Sequence, residues 1–361
     1  MKHCLICLNC KKKFEPNIFI LRCEDCNSVV KVDYKDPPKD EISLLDSLLE
    51  SKLSSLGEGN TPTIHLNNFA KKINHNSVYA KLEFLSPTGS FKDRGSNILL
   101  NVAKKFGVNE FVEDSSGNAG ASLAAYASFM NIKANIFVPS STSQAKKEQI
   151  KVYGAKLFSI DGSRNDTTVS AEKYANNNDI LYLSHNLSPY FSEGMKNVTY
   201  EIIKEDLLFD HVVLPVGNGS LLIGMYSAYS ALQKLGVIKK IPKFHGVQSE
   251  MVSPLYNYFH SLPWDTNQAR YTLASGIAVS NPPRIFEMSE SIKKSKGIVV
   301  TVKEEDMIYW KNYLSKNEGL YVEVTCSAAL AGLYKLLKEK IINSNDKVLI
   351  PLTGTGLKES K

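Results

Sequence analysis

Pro87-Thr88-Gly89-Ser90-Phe91-Lys92-Asp93-Arg94-Gly95 sets one lysine in a turn of small residues at a predicted helix start. Asp114-Ser115-Ser116-Gly117-Asn118-Ala119-Gly120 follows at the next predicted helix start. A lysine amine that reaches a carbonyl forms a Schiff base, and backbone amides gathered at a helix start hold an anion beside it. That pairing suits an enzyme that carries an aldehyde cofactor on Lys92 and grips a substrate carboxylate next to it. Taken alone, Lys92 reads as a solvated surface lysine, and the serines and Asn118 read as helix caps. A cap needs one such residue, whereas this turn holds three of them with two glycines.

A third turn, Leu214-Pro215-Val216-Gly217-Asn218-Gly219-Ser220-Leu221, lies between a β-rich run and an apolar helix. Its glycines let amides converge on an anion at the positive end of a helix, and a phosphate is the natural occupant. A dinucleotide fingerprint needs a further glycine where Leu222 stands, and a P-loop needs a Gly-Lys-Ser/Thr run that is absent. On glycine content alone, a tight turn with no ligand is the competing reading. Near the end of the chain, Val348-Leu349-Ile350-Pro351-Leu352-Thr353-Gly354-Thr355-Gly356 leads a strand into a turn where a hydroxyl can meet a ring nitrogen.

The elements that must position these turns are legible as alternating short apolar runs and longer amphipathic segments. Strands are predicted at 78–83, 110–113, 134–138, 156–160 and 180–183, with helices at 92–106, 119–130, 142–153 and 166–177. After residue 195 strands are predicted near 212–215, 244–248, 298–302 and 347–351. This rhythm implies two open, twisted, mostly parallel α/β domains with a cleft between them. In such sheets ligands bind beyond the carboxyl ends of the strands, and the unusual turns all fall there. A short helix is expected within 42–53, and 57–62 reads as a turn ahead of a strand.

Five of the six cysteines precede residue 27. Cys7-x2-Cys10 and Cys23-x2-Cys26 have the spacing of a tetrahedral zinc ribbon, which would end near Tyr34 before the Asp36-Pro37-Pro38-Lys39-Asp40 linker. Free thiols or a disulfide pair remain the alternatives, and Cys4 offers a second partner for Cys7. Cys326 stands apart and reads as a packing residue. The chain has 361 residues, 43% hydrophobic and 22% charged, with a net charge of +6. Its basic runs, Lys11-Lys12-Lys13 and Lys146-Lys147, are too short for a nucleic-acid tract. No apolar run reaches membrane-spanning length and no signal segment opens the chain, so a cytoplasmic protein is expected.

In this order the turns resemble the tryptophan-synthase-β group of pyridoxal-phosphate enzymes, and within it the threonine synthases. The resemblance runs from Gly57 to Lys358 and includes Gly246-Val247-Gln248-Ser249-Glu250, Gly276-Ile277-Ala278-Val279-Ser280-Asn281-Pro282 and Leu352-Thr353-Gly354-Thr355-Gly356-Leu357-Lys358. The N-terminal ribbon resembles one carried by many threonine synthases. The resemblance implies the fold-type II architecture: a ribbon-like appendage at 1–36, a large cofactor-binding domain from 37–95 and 200–361, and a small α/β domain at 96–199.

It further implies that Lys92 forms the Schiff base with pyridoxal 5'-phosphate and shuttles protons, while Asn118 meets the cofactor's 3-oxygen. Gly217, Asn218, Gly219, Ser220 and Leu221 would cradle the phosphate, and Thr353 would face the pyridine nitrogen. Thr88, Ser115, Ser116, Gly117 and Ala119 would bind the substrate carboxylate, with His185 and Asn186 also at the substrate. The implied enzyme is a carbon–oxygen lyase turning O-phosphohomoserine and water into threonine and phosphate, working on a small amino acid as a homodimer.

One segment departs from the family pattern. Threonine synthases carry Asn-Ser-x-Asn-Pro-x-Arg-x-x-Gly-Gln, but here the run is Ser184-His185-Asn186-Leu187-Ser188-Pro189-Tyr190-Phe191-Ser192-Glu193-Gly194-Met195. Phe191 takes the arginine position and Met195 the glutamine position, removing a bidentate phosphate partner. This favours the close alternative of β-replacement or elimination on phosphoserine, serine or threonine. Two other classes are weighed: a nicotinamide oxidoreductase, opposed by the missing glycine, and a zinc-ribbon protein that binds nucleic acid or a partner.

Overall fold

The short apolar runs become strands because turn residues bound them and the central ones bury alternate or nearly all of their side chains, as His211–Pro215 and Val348–Pro351 do. In the computed structural model residues 2–49, 53–115, 117–162 and 164–359 are described. They fall into two units, one made of the described residues of Met1–Glu58 with Ser86–Asn197, the other of Gly59–Leu85 with Val198–Glu359.

The first unit opens with an antiparallel sheet in which His3–Cys7 lies between Lys13–Phe14 and Val30–Tyr34. Leu5 and Cys7 alternate inward with Cys4 and Ile6 between them, the two-residue period of a half-buried strand. The helix Glu41–Leu48 follows, started by Asp40, whose carboxylate accepts from the Ser43 amide at 2.8 Å. The unit's second sheet is wholly parallel, in the order Lys156–Ile160, Lys133–Pro139, Glu110–Glu113, Leu181–Tyr182. Its crossovers are the helices Asn118–Met130, Gln144–Val152 and Arg164–Asn178. Val112, Phe137, Ala171 and Ala175 form its small core, with Phe137 stacked on Phe158.

The second unit holds a six-stranded sheet ordered Val299–Val302, Lys243–Ser249, His211–Pro215, Val348–Pro351, Val78–Lys81, Thr63–His65. Only the edge strand Thr63–His65 runs antiparallel. The helix Val324–Lys338 packs on the central strands, and its Ala328, Ala329 and Ala331 let it lie close to them. An α/β fold with one parallel and one mostly parallel sheet is therefore present, as the alternation implies. No described helix is long and apolar enough to cross a membrane.

The strand expected at 78–83 stops at Lys81 and turns into a short 3-10 helix, Glu83–Leu85. Lys81 is wholly buried, with its ammonium 2.7 Å from the Thr61 carbonyl, 3.1 Å from Glu201 and 2.9 Å from Glu205. A buried cation survives only with such partners, and apolar periodicity carries no sign of them. The helices Ile285–Lys294, Glu304–Glu318 and Val324–Lys338 also escape the sequence reading. The last buries most of its length, so its polar face shrinks to the last turns and leaves little for a periodicity argument to find.

Near the amino ends of two central strands, His211 Nδ1 lies 2.9 Å from His245 Nε2, and His211 Nε2 lies 3.2 Å from Asp346. Burial lowers both imidazoles, His245 to about 3. The unfolded histidines titrate near 6.5, so below that pH the unfolded chain takes up protons that the fold refuses. Stability is therefore expected to be full above about pH 6.5 and to fall below it, for His245 toward pH 3, by up to ~1.4 kcal/mol per unit. Denaturant midpoints at pH 7 and pH 5 measure this, and the H245F variant should show the shallower slope. Equal slopes in the two proteins would refute the assignment.

Candidate functional site

Each sequence-predicted turn is built inside one unit, and its geometry follows from a few packing contacts. Lys92 is the first residue of the helix Lys92–Lys105. Behind it, wholly buried Asp93 accepts from the Thr88 amide at 2.7 Å and from the Thr88 hydroxyl at 2.5 Å. That carboxylate pins the turn that presents Lys92. It also engages the Thr88 hydroxyl proton, leaving that oxygen to other partners only as an acceptor.

The helix Lys92–Lys105 meets the short helix Phe191–Gly194 almost backbone to backbone. A Cβ on Gly194 would stand 2.0 Å from the Arg94 carbonyl oxygen, and one on Gly95 would stand 2.7 Å from both Phe191 and Met195. This approach seats the buried ring of Phe191 with its centroid 5.4 Å from Lys92 Nζ, while Phe91 lies at 4.8 Å. The lysine nitrogen therefore stands within cation–π range of two aromatic rings.

The second turn closes the strand Glu110–Glu113. Gly117 caps the helix Asn118–Met130, so Asn118 and Ala119 occupy its first turn, whose backbone amides have no partner within the helix itself. The helices beginning at Lys92 and Asn118 lie side by side, joined by a 2.7 Å hydrogen bond from Ser122 to Ser96. Both serines sit in the early turns, so the structure brings the two helix starts together. Ser115 is buried, and Ser116 lies outside the described residues. Asp114 is occupied by Arg164, Thr168 and Tyr182 and holds the turn in place. His185 and Asn186 follow the adjacent edge strand, and Glu113 accepts from the His185 backbone amide at 3.0 Å and contacts its Nδ1 at 2.5 Å.

In the second unit the strand His211–Pro215 runs into Gly217, Asn218 and Gly219, after which Ser220 begins the helix Ser220–Lys234. Gly219 has φ +79°, and a Cβ there would fall 2.0 Å from the Met288 sulfur. The Gln248 amide donates to the Val216 carbonyl at 3.0 Å and fixes the turn from the neighbouring strand. Ser220 Oγ and Asn218 Oδ1 are buried with no hydrogen-bond partner among the described residues. The helix start and the Ser220 hydroxyl are donors of the kind an anion needs, whereas the Asn218 oxygen can only accept. Thr353 is buried, its hydroxyl 3.3 Å from Cys326 Sγ, which also contacts the Gly354 carbonyl at 3.3 Å. Burial pushes the Cys326 thiol up to about 12, so it stays protonated and donates. Cys326, expected to be packing alone, is thus also a hydrogen-bonding neighbour of Thr353.

Glu113 and Cys326 are the two neighbours that motif reasoning passes over. Glu113 had one signal, a carboxylate ending a strand just before the serine-rich turn. In the ribbon, the sulfurs of Cys7, Cys10, Cys23 and Cys26 all lie within 4.8 Å of one another. Cys4 stands outside that group, its thiol 4.0 Å from Asp33.

Residues 54–354 match the family described as pyridoxal-phosphate dependent enzyme. The threonine synthase of Methanocaldococcus jannaschii is 29% identical, over 98% of this chain and 92% of its own. That of Bacillus sp. strain ULM1 is 32% identical, over 84% of this chain and 85% of its own. Among solved structures, maize serine racemase superposes with a TM-score of 0.72 at 18% identity, covering 88% of this chain and 94% of its own. Within the second unit, the glycine turn with its orphaned Ser220 hydroxyl is of a kind that suits a phosphate group, and within the first, Lys92 is an amine of the kind that suits an aldehyde.

Replacing Gly219 with alanine places a side chain at positive φ against Met288, a strain of roughly 1–2 kcal/mol for the backbone alone. G219A is expected to weaken pyridoxal phosphate retention about tenfold or more. Titration of the apoprotein followed by absorbance checks this, and unchanged affinity would contradict the turn's role.

Proposed function

The chain belongs to the pyridoxal-phosphate dependent enzymes, among their threonine synthases, and from that premise we propose that it converts O-phospho-L-homoserine and water to L-threonine and phosphate. The enzyme is a pyridoxal-phosphate-dependent lyase of the threonine synthase type. The observation that carries the substrate reading is length: the likeness to threonine synthases extends over 84–98% of this chain. Bound pyridoxal phosphate supplies a carbonyl for the substrate amine and a ring that takes up electron density released at the α-carbon.

The chain's own residues would do the rest. Lys92 would hold the cofactor aldehyde and, once displaced by the substrate amine, move protons at the α- and β-carbons. Asn118 would donate to the cofactor's 3-oxygen, and Gly217, Asn218, Gly219, Ser220 and Leu221 would hold its phosphate. Thr353 would meet the ring nitrogen with a neutral hydroxyl, which suits elimination and replacement more than transamination. The carboxylate would rest on Ser115, Ser116, Gly117 and Ala119, where the helix start favours negative charge, while Thr88, whose amide and hydroxyl both go to Asp93, would shape the lysine turn instead of holding substrate. His185 and Asn186 would face the far end of the substrate. A cytoplasmic homodimer completes this reading.

Phe191 favours a second reading on the same cofactor, β-replacement or elimination on phosphoserine, serine or threonine, because it fills the position of a phosphate-binding arginine. Phosphate and ammonia release separate the two. The first reading expects stoichiometric phosphate and threonine from O-phosphohomoserine, with activity and the cofactor's near-visible absorbance both lost in K92A. No phosphate release at high enzyme concentration would defeat it.

For the ribbon we propose a structural zinc ion on Cys7, Cys10, Cys23 and Cys26. Sulfurs around one zinc stand about 3.8 Å apart for a metal–sulfur distance of about 2.3 Å. Cys7 and Cys26, at 3.4 Å, and Cys10 and Cys23, at 3.5 Å, need only a small adjustment. Elemental analysis should give one zinc per chain, falling sharply in a C7S/C23S double variant. A metal-free wild-type protein with full activity would refute the site.

A further inference from the structure

Glu113 is fully buried, yet both of its oxygens serve one residue: Oε2 accepts the His185 backbone amide at 3.0 Å, and Oε1 meets His185 Nδ1 at 2.5 Å. The neighbouring Ser184 holds a left-handed backbone, φ 41°, which a serine adopts at a cost. The chain thus turns sharply to bring His185 onto Glu113. A carboxylate on Nδ1 makes that nitrogen the donor and leaves Nε2 as the working end of the ring. Nε2 makes no hydrogen bond among the described residues. The imidazole packs edge-on against Phe191 at 5.4 Å, and Lys92 Nζ lies 5.4 Å from the centroid of the same ring. The histidine and the lysine are therefore neighbours across one buried phenyl group.

The chemistry of the departing group calls for such a residue. When the Cγ–O bond of a phosphate monoester dianion breaks, the electron pair stays on oxygen, and phosphate leaves as a trianion unless a proton arrives. An arginine offers charge but no transferable proton, whereas an imidazolium offers both. We propose that His185, oriented by Glu113 as its positioning residue, is the general acid that protonates the leaving phosphate. This inference rests on the O-phosphohomoserine reading and deepens it. As the β-proton departs, its C–H electron pair forms the Cβ=Cγ bond and the Cγ–O pair goes to the phosphate oxygen. The Nε2 proton moves to that oxygen, hydrogen phosphate leaves, and the neutral imidazole recovers its proton from solvent. Phe191 supplies the wall that separates this acid from Lys92, which is how a phenylalanine can stand where the family has an arginine.

The test uses the holoenzyme and three variants, H185Q, H185N and E113Q, each first shown to keep the wild-type melting temperature and cofactor absorbance within a small margin. H185Q should lower kcat for O-phosphohomoserine about 100-fold, the lower range for a lost general acid, with little change in KM. E113Q should fall between it and the wild type. 2-Aminobut-3-enoate has no leaving group and enters after the elimination, so its conversion to threonine should fall only a few-fold in H185Q. A second readout is free of turnover: inorganic phosphate added to 15N-histidine-labelled protein should move the ring resonances that vanish in H185Q. Equal loss on both substrates would show a structural role and overturn the proposal, as would unaltered kcat or unmoved resonances. If H185Q and H185N fail the stability criterion, E113Q and the wild-type resonances decide. A wild-type enzyme that releases no phosphate would instead defeat the underlying substrate reading.

Discussion

The near-contact of two backbones at Gly194 and Arg94 is the constraint on which the first unit's chemistry depends. No side chain larger than hydrogen fits at Gly194, where a Cβ would overlap a carbonyl oxygen, and Gly95 is closed by Phe191 and Met195. Because the helices touch, Phe191 is held beneath Lys92 and beside His185. Close packing of this kind transmits position with little play, since interiors are as dense as organic crystals. The lysine's surroundings are consequently set by residues about one hundred positions away in sequence.

Buried polar groups divide in the same way between those that build turns and those left to act. Asp93 and Asp114 are saturated by neighbouring donors and serve as pins. Glu113 spends both oxygens on one histidine. Ser220 and Asn218 have buried atoms without partners among the described residues, and of the two only the Ser220 hydroxyl can donate. Unsatisfied buried groups are costly, so their concentration at a glycine turn points to a ligand more firmly than the glycines do.

The ribbon touches the same region through its own unit. Tyr34 donates to Glu193 at 2.5 Å, Lys196 pairs with that carboxylate and lies 4.4 Å from the Tyr34 ring, and His3 packs edge-on against Tyr190. The segment that departs from the threonine synthase pattern is thus braced from the ribbon side as well as by Gly95. A cysteine pattern in the first 26 residues and a substitution at Phe191 are distant in sequence but belong to one packed assembly.

Much of this was legible without coordinates. The strands at 110–113 and 156–160, the helix starts at Lys92 and Asn118, and the four clustering cysteines all follow from local pattern, because apolar period, turn residues and ligand spacing are short-range properties. The early stop of the strand at Lys81 and the largely buried helix Val324–Lys338 were not, since their causes are a buried cation's distant partners and the shrinking of a polar face to the helix's last turns. The amino-acid sequence alone determined which residue types stand at the turns and that they resemble those of pyridoxal-phosphate enzymes. Only the tertiary structure decided that Glu113 reaches His185, that Cys326 meets Thr353 and that Phe191 lies between imidazole and lysine. Those pairings join residues far apart along the chain, and packing, not spacing, brings them within hydrogen-bonding or van der Waals range.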